Sequence, residues 1–215
     1  MLKGKTALVT GSTSGIGLGI ALSLAKEGAR IVLNGFGDSQ PAIDAVKALG
    51  VDVRYHGADM SKPDEIADMM AFAAAEFGRV DVLVNNAGIQ HVSAVEDFPV
   101  ERWDAVIAIN LSSAFHTTRL ALPAMRQAKW GRIINTLNSG AKWARLHSAP
   151  TSITRAAGMA LTKVLSNEGA EHNVLVNKQR GSTHQKQPNL QQAILTPPRD
   201  KPERQNSHNA QSNVV

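Results

Sequence analysis

The segment Thr10-Gly-Ser-Thr-Ser-Gly-Ile-Gly sets three glycines, Gly11, Gly15 and Gly17, between a short apolar run and a stretch of helical periodicity. Backbone amides that open a helix have no intrahelical acceptors and carry partial positive charge, so a nucleotide diphosphate is a natural ligand at such a point. Gly11 permits the tight turn, Gly15 lets the backbone approach a pyrophosphate, and Gly17 allows close helix–strand packing. Thr13, Ser14 and Ile16 share the loop and are further candidate cofactor contacts. A second cluster, Asn85-Asn-Ala-Gly, follows another apolar run directly and offers Asn86, Ala87 and Gly88 at the same end of a sheet. Asp59, just after a third run, is placed either to accept a hydrogen bond from an adenine amino group or to cap the next helix.

These residues need a scaffold, and the hydrophobic pattern supplies one. Short apolar runs at Thr6-Ala-Leu-Val, Arg30-Ile-Val-Leu, Val51 to Tyr55, Val82-Leu-Val, Ile133-Ile-Asn-Thr and Val174-Leu-Val read as six strands. Between them, helices are expected over Gly15 to Glu27, Ala42 to Leu49 with Gly50 as its C-cap, Ser61 to Phe77, Val100 to Ala128 and Thr151 to Glu168. Ser61 reads as the cap of its helix, with Pro63 in the first turn. Regular strand–helix alternation predicts an α/β fold: a Rossmann-type, doubly wound parallel sheet, expected to hold six strands.

Residues 1–177 read as one dinucleotide-binding domain and residues 178–215 as a polar, basic tail. Seven of the 38 tail residues are aliphatic and none is aromatic, too little apolar surface to offset ordering entropy, so disorder is expected there, with a turn of helix near 190–195. The formal net charge is +5, but the tail holds six Lys or Arg against two Asp or Glu, leaving the globular part close to neutral. Nucleic acid is therefore not an expected partner. Cysteine is absent, which excludes disulfides and thiolate sites, and no metal site is expected. The N-terminus runs straight into a strand and no long apolar run follows, so a cytoplasmic protein without membrane contact is expected.

Taken together, the glycine loop, Asp59 and Asn85-Asn-Ala-Gly at these spacings resemble the short-chain dehydrogenase/reductase family. Residues 1 to about 130 are similar, more narrowly, to D-3-hydroxybutyrate dehydrogenases, through Asn86-Ala-Gly-Ile-Gln-His-Val and Asn34-Gly-Phe-Gly-Asp. The resemblance implies a small-molecule hydroxy acid or ketone as substrate, a homo-oligomer (dimer or tetramer), and NAD as cofactor. No basic residue stands at the end of the second strand to meet a 2′-phosphate, and Asn34, Gly35 and Phe36 would border the adenosine ribose. It also implies a role in proton transfer for Asn110 and a substrate contact for Gln90.

The family's remaining chemical groups are a serine, a tyrosine and a lysine four residues after it. Ungapped alignment puts Asn138, with Ser139 beside it, at the serine position, Thr151 at the tyrosine position and Arg155 at the lysine position. Tyr55, in the third strand, is the only tyrosine. A phenol, with a pKa of about 10, can be tuned toward neutrality by a nearby cation; a threonine hydroxyl lies far outside that range. Two further positions that would hold a substrate carboxylate carry Gly140 and Ser148, with Lys142 and His147 nearby as substitutes. Residues 132–177 look like a divergent branch lacking the Tyr-x-x-x-Lys motif. Lys178 onward resembles none of the family's Pro-Gly turn, lid helix or seventh strand, as a frameshift or truncation would produce. Three readings follow: an NAD-dependent 3-hydroxybutyrate-type dehydrogenase of weak or absent activity, a non-catalytic dinucleotide-binding protein, and the product of a disrupted gene.

Overall fold

The computed structural model describes residues 1–137 and 144–180. Six parallel strands form one sheet in the order β3-β2-β1-β4-β5-β6. They are β1 (Thr6–Val9), β2 (Arg30–Asn34), β3 (Val53–His56), β4 (Val82–Asn85), β5 (Gly131–Leu137) and β6 (Val174–Arg180). The helices are α1 (Gly15–Lys26), α2 (Gln40–Lys47), α3 (Pro63–Phe77), α4 (Val100–Ile107), α5 (Ser113–Gln127) and α6 (Ala149–Ala170). This is the doubly wound Rossmann arrangement. The chain reverses its direction of winding between β1 and β4, and a crevice for ligands opens there at the carboxyl ends of the strands.

The strands form because branched and apolar side chains alternate between two helix-covered faces. Ala7, Val9, Val82, Val84 and Ile134 pack on one face with Ile20, Leu24 and Val46 of α1 and α2. Leu8, Leu83 and Ile133 point the other way, against Ile66, Met69 and Met125 of α3 and α5 and Leu165 of α6. Each such buried side chain contributes about 1.5–3 kcal/mol of transfer free energy, and this holds the β1–β4 junction rigid beneath the crevice. At the amino ends of β1 and β4, buried Asp81 accepts from the Thr6 amide at 3.0 Å and pairs with Arg79 at 2.8 Å, which fixes the start of β4.

Several boundaries differ from the sequence expectation. The single helix expected from Val100 to Ala128 is α4 and α5 joined by a π-helical turn, Ala108–Ser112, that contains Asn110. Ser61 does not cap α3: Lys62 is the N-cap residue, and the Ser61 amide and hydroxyl both donate to Asp59 Oδ1 instead. The second helix starts at Gln40, and the third strand is shifted to Val53–His56 by its pairing with Ile31–Asn34. β6 continues past Asn177, the expected end of the domain, as far as Arg180, and pairs Lys178, Gln179 and Arg180 with Asn135, Thr136 and Leu137. β6 is an edge strand of the described sheet, with Lys178 exposed and Gln179 buried. The serine-position residues Asn138 and Ser139, together with Gly140 and Lys142, and the tail from residue 181, lie outside the described residues.

Candidate functional site

The glycine loop is shaped by contacts that glycine alone permits. Gly15 has φ +56°, and a Cβ there would meet open space above the first turn of α1. A Cβ on Gly17 would instead run into the Gly11 carbonyl and come within 2.5 Å of Asn86 Nδ2. Ser14 precedes α1 in extended conformation and its side chain makes no capping bond; no acidic residue occupies the first turn. The amides opening α1 are thus left to an outside acceptor, and the positive helix end faces the crevice. Ile16 is 42% exposed at this point and Phe36 63%, both apolar side chains presented to solvent beside the loop.

Hydrogen bonds hold the loop before any ligand arrives. Asn86 Nδ2 donates to the carbonyls of Thr10 (3.0 Å) and Gly11 (2.9 Å), while Thr10 Oγ1 accepts from the amides of Asn86 and Ala87, both at 3.0 Å. From the other side, Asn34 Oδ1 accepts from the Gly11 amide at 3.3 Å and its Nδ2 donates to the carbonyls of His56 (3.1 Å) and Ala58 (3.0 Å). Asn34 is fully buried, so it does not border a ribose; it ties β2, β3 and the glycine loop together. The visible signal is a polar residue ending an otherwise apolar strand.

Asp59 serves the turn into α3. Its Oδ1 accepts from the Ser61 amide (2.9 Å) and hydroxyl (2.8 Å), and its own amide donates to Glu65 Oε2 at 2.7 Å. The Ser61 bonds, amide first, hold the Asp59 carboxyl below the usual carboxylate range.

Across the crevice, Asn85, buried at the end of β4, starts a polar chain that sequence reasoning missed. Thr117 Oγ1 donates to Asn85 Oδ1 (2.7 Å), Asn85 Nδ2 to Asn135 Oδ1 (2.9 Å), Asn135 Nδ2 to Thr162 Oγ1 (2.9 Å), and Thr162 Oγ1 to the Gly158 carbonyl (2.7 Å). It links α5, β4, β5 and α6 beneath a small cavity of about 10 Å³, room for one water, bounded by Asn110, Thr136 and Arg155. Asn110, in the π-turn, pairs its side-chain amide with the Ile89 backbone in both directions, at 2.8 and 2.9 Å.

Thr151 and Arg155 stand one turn apart on α6, and Arg155 lines this cavity. Arg155 Nη1 donates to the Thr136 carbonyl at 2.6 Å, and burial pushes its guanidinium below the ordinary value. Gly88 leaves it room: a Cβ there would lie 2.9 Å from Arg155 Nη2. Thr151 Oγ1, Thr136 Oγ1 and Arg155 Nε are buried without hydrogen-bond partners among the described residues. Gln90 and His147 are exposed on two loops joined by a bond from the Ser93 amide to the His147 carbonyl (2.9 Å). His147 takes a left-handed backbone, φ +59°.

Residues 5–181 match the short chain dehydrogenase family. The chain belongs to that family. It is 57% identical over 179 residues to the D-beta-hydroxybutyrate dehydrogenase of Cupriavidus necator, covering 82% of this chain and 69% of the relative. To the enzyme of the same name from Rhizobium meliloti it is 52% identical over 177 residues, covering 80% and 69%. Among solved structures it is similar to a metagenomic short-chain oxidoreductase in complex with NADP, with TM-score 0.81 and 32% identity over 85% of this chain and 84% of that one. The expected fold class and family are thus shown, and by this kinship the chain is an oxidoreductase. Among the described residues no helix is long and apolar enough to cross a membrane.

Proposed function

We propose that this short-chain dehydrogenase holds NAD in the crevice above β1 and β4 and is a 3-hydroxybutyrate dehydrogenase-type oxidoreductase whose turnover is weak. The observation that carries the cofactor reading is the uncapped N-terminus of α1 over Gly15, where a Cβ would enter open space. The diphosphate would lie against the amides of Ser14, Gly15, Ile16 and Gly17, with Thr13 and Phe36 toward the adenosine and Ala87 and Gly88 toward the nicotinamide. NAD rather than NADP is supported by the lack of a basic residue between Asn34 and Gln40. When bound, the nicotinamide supplies a hydride acceptor or donor. Gln90 and His147 would hold a hydroxy acid through its carboxylate. Exposed Phe115, Ile153 and Val164 on α5 and α6 support assembly into a homo-oligomer.

A second reading, a dinucleotide-binding protein without catalysis, is favoured by one observation. The hydroxyl of Thr151 is buried and has no partner among the described residues where a proton acceptor is needed, and a guanidinium is not a proton shuttle. Calorimetric titration with NAD, followed by assay of NADH formation from D-3-hydroxybutyrate on the same sample, separates the two. Weak turnover that rises in the Thr151→Tyr, Arg155→Lys double variant is expected. Binding without turnover in either protein selects the second reading. No binding of NAD or NADP at millimolar levels overturns both.

A further inference from the structure

We propose that Tyr55 is a positioning residue for the adenosine end of the dinucleotide: with Thr13 it clamps the backbone of Gly35 and Phe36 and so presents the Phe36 ring to the purine nucleoside. The inference rests on the cofactor reading above and goes beyond it by naming what fixes that end of the site.

The turn after β2 would be loose on its own. It contains two glycines, and Gly37 takes φ +79°. Two side chains from different elements hold it. Tyr55 Oη donates to the Gly35 carbonyl at 2.8 Å, and Thr13 Oγ1 donates to the Phe36 carbonyl at 3.1 Å. The parallel register places Tyr55 opposite Leu33, so its phenol reaches two residues further along the neighbouring chain. Gly57 leaves space for it, since a Cβ there would lie 3.2 Å from Tyr55 Oη. A Cβ on Gly35 would lie 2.6 Å from Thr13 Oγ1, so Thr13 packs directly on this turn while belonging to the glycine loop.

The clamp has a chemical consequence. The Gly35 and Phe36 carbonyls are both engaged, and the turn presents the phenyl ring of Phe36, 63% exposed, to solvent. An exposed aromatic ring held on a fixed backbone at the carboxyl end of the sheet suits the flat face of a purine, because stacking needs a surface already in place. Thr13 also makes the two parts of the site one unit: the loop that receives the diphosphate holds the turn that receives the nucleoside.

Tyr55 is the only tyrosine, so protein grown with 3-fluorotyrosine gives a single fluorine resonance from the clamp itself. Saturating NAD and AMP are expected to move that resonance, and nicotinamide mononucleotide at matched concentration is expected to leave it in place. Tyr55→Phe keeps the ring and drops the hydroxyl; its Kd for NAD and for AMP, by calorimetry, should rise about three- to tenfold, the range one hydrogen bond carries. Should that variant not fold, Phe36→Ala, at an exposed position, should weaken NAD and AMP binding to at least the same degree. If NAD binds but the resonance stays still, or moves equally with the mononucleotide, or the folded variant binds as tightly as the parent, the clamp is overturned and the cofactor reading survives. If NAD does not bind the parent at all, both fall.

Discussion

The glycine loop and the start of α6 face each other across one crevice and are built to different standards. Around the loop, Thr10, Ser12, Asn34 and Asn86 all have partners, and most of these bonds join two elements at the sheet's carboxyl end. Around the start of α6, three buried polar atoms, Thr136 Oγ1, Thr151 Oγ1 and Arg155 Nε, have none among the described residues. Buried polar groups are ordinarily hydrogen-bonded, and each exception costs about 1–3 kcal/mol. The glycine loop, the proposed cofactor cradle, is therefore self-sufficient, whereas Thr151 Oγ1 and Arg155 Nε, at the proposed chemical end, are not completed by the described residues.

The comparison breaks most sharply at the glycines. Gly17→Ala drives a methyl into the backbone of the loop, and urea denaturation should show a loss of about 4 kcal/mol or more. Gly88→Ala meets side chains rather than backbone, Arg155 Nη2 at 2.9 Å and Asn110 Oδ1 at 3.3 Å, so its cost should be smaller, about 1–2 kcal/mol. Equal losses would mean the two ends are equally rigid.

Next in size is Asn34→Ala. It removes the acceptor of the Gly11 amide and the donor to the His56 and Ala58 carbonyls, leaving backbone groups unsatisfied in a fully buried place. A loss of about 3 kcal/mol is expected by thermal denaturation, with weaker NAD binding as the loop relaxes. A variant as stable as the parent would show that water replaces the amide.

Much of this was legible from the residues. The glycine trio between a strand and a helix, and the alternation of apolar runs, dictate the β1–loop–α1 unit and the sheet, because local sterics and burial act at short range. The long-range bonds were not legible. Asn34 looks like a ribose neighbour until the β2–β3 register turns its amide inward, and Asn85, Asn135, Thr117 and Thr162 are 27 to 50 residues apart along the links of their chain. Ser61 misled because a short polar residue before Pro63 has the composition of a cap, while the nearer Asp59 carboxylate captured it. The π-turn at Asn110 carries no compositional mark at all.

The opposite sign is expected at the chemical end. Thr151→Val replaces an unpartnered buried hydroxyl by a methyl of similar volume, so it should stabilise the fold by about 1 kcal/mol and leave the Kd for NAD unchanged. Thr136→Val should behave alike. Destabilisation by either would show that the hydroxyl has a partner and that the contrast with the glycine loop is smaller than the geometry states.

The smallest effect is a pH dependence confined to the cradle side. The Ser61 bonds hold the Asp59 carboxyl below the usual range, and Glu65 is held low by Lys62 and the Asp59 amide. A carboxylate with a lowered folded-state pKa binds fewer protons when folded than when unfolded, so its stabilisation is complete above the ordinary carboxylate range and disappears as pH falls through it. Lys62, raised by Glu65, has the converse dependence and weakens only in strong alkali. Asp59→Asn should therefore lower the melting temperature near pH 7 and have little effect near pH 2, with a difference at neutrality under about 1 kcal/mol because solvent screens a turn this open. A matched series at Thr151 should show no such dependence, since no carboxylate bonds it among the described residues. A Thr151→Val effect that tracked acid pH would join the two ends that the hydrogen bonds keep apart.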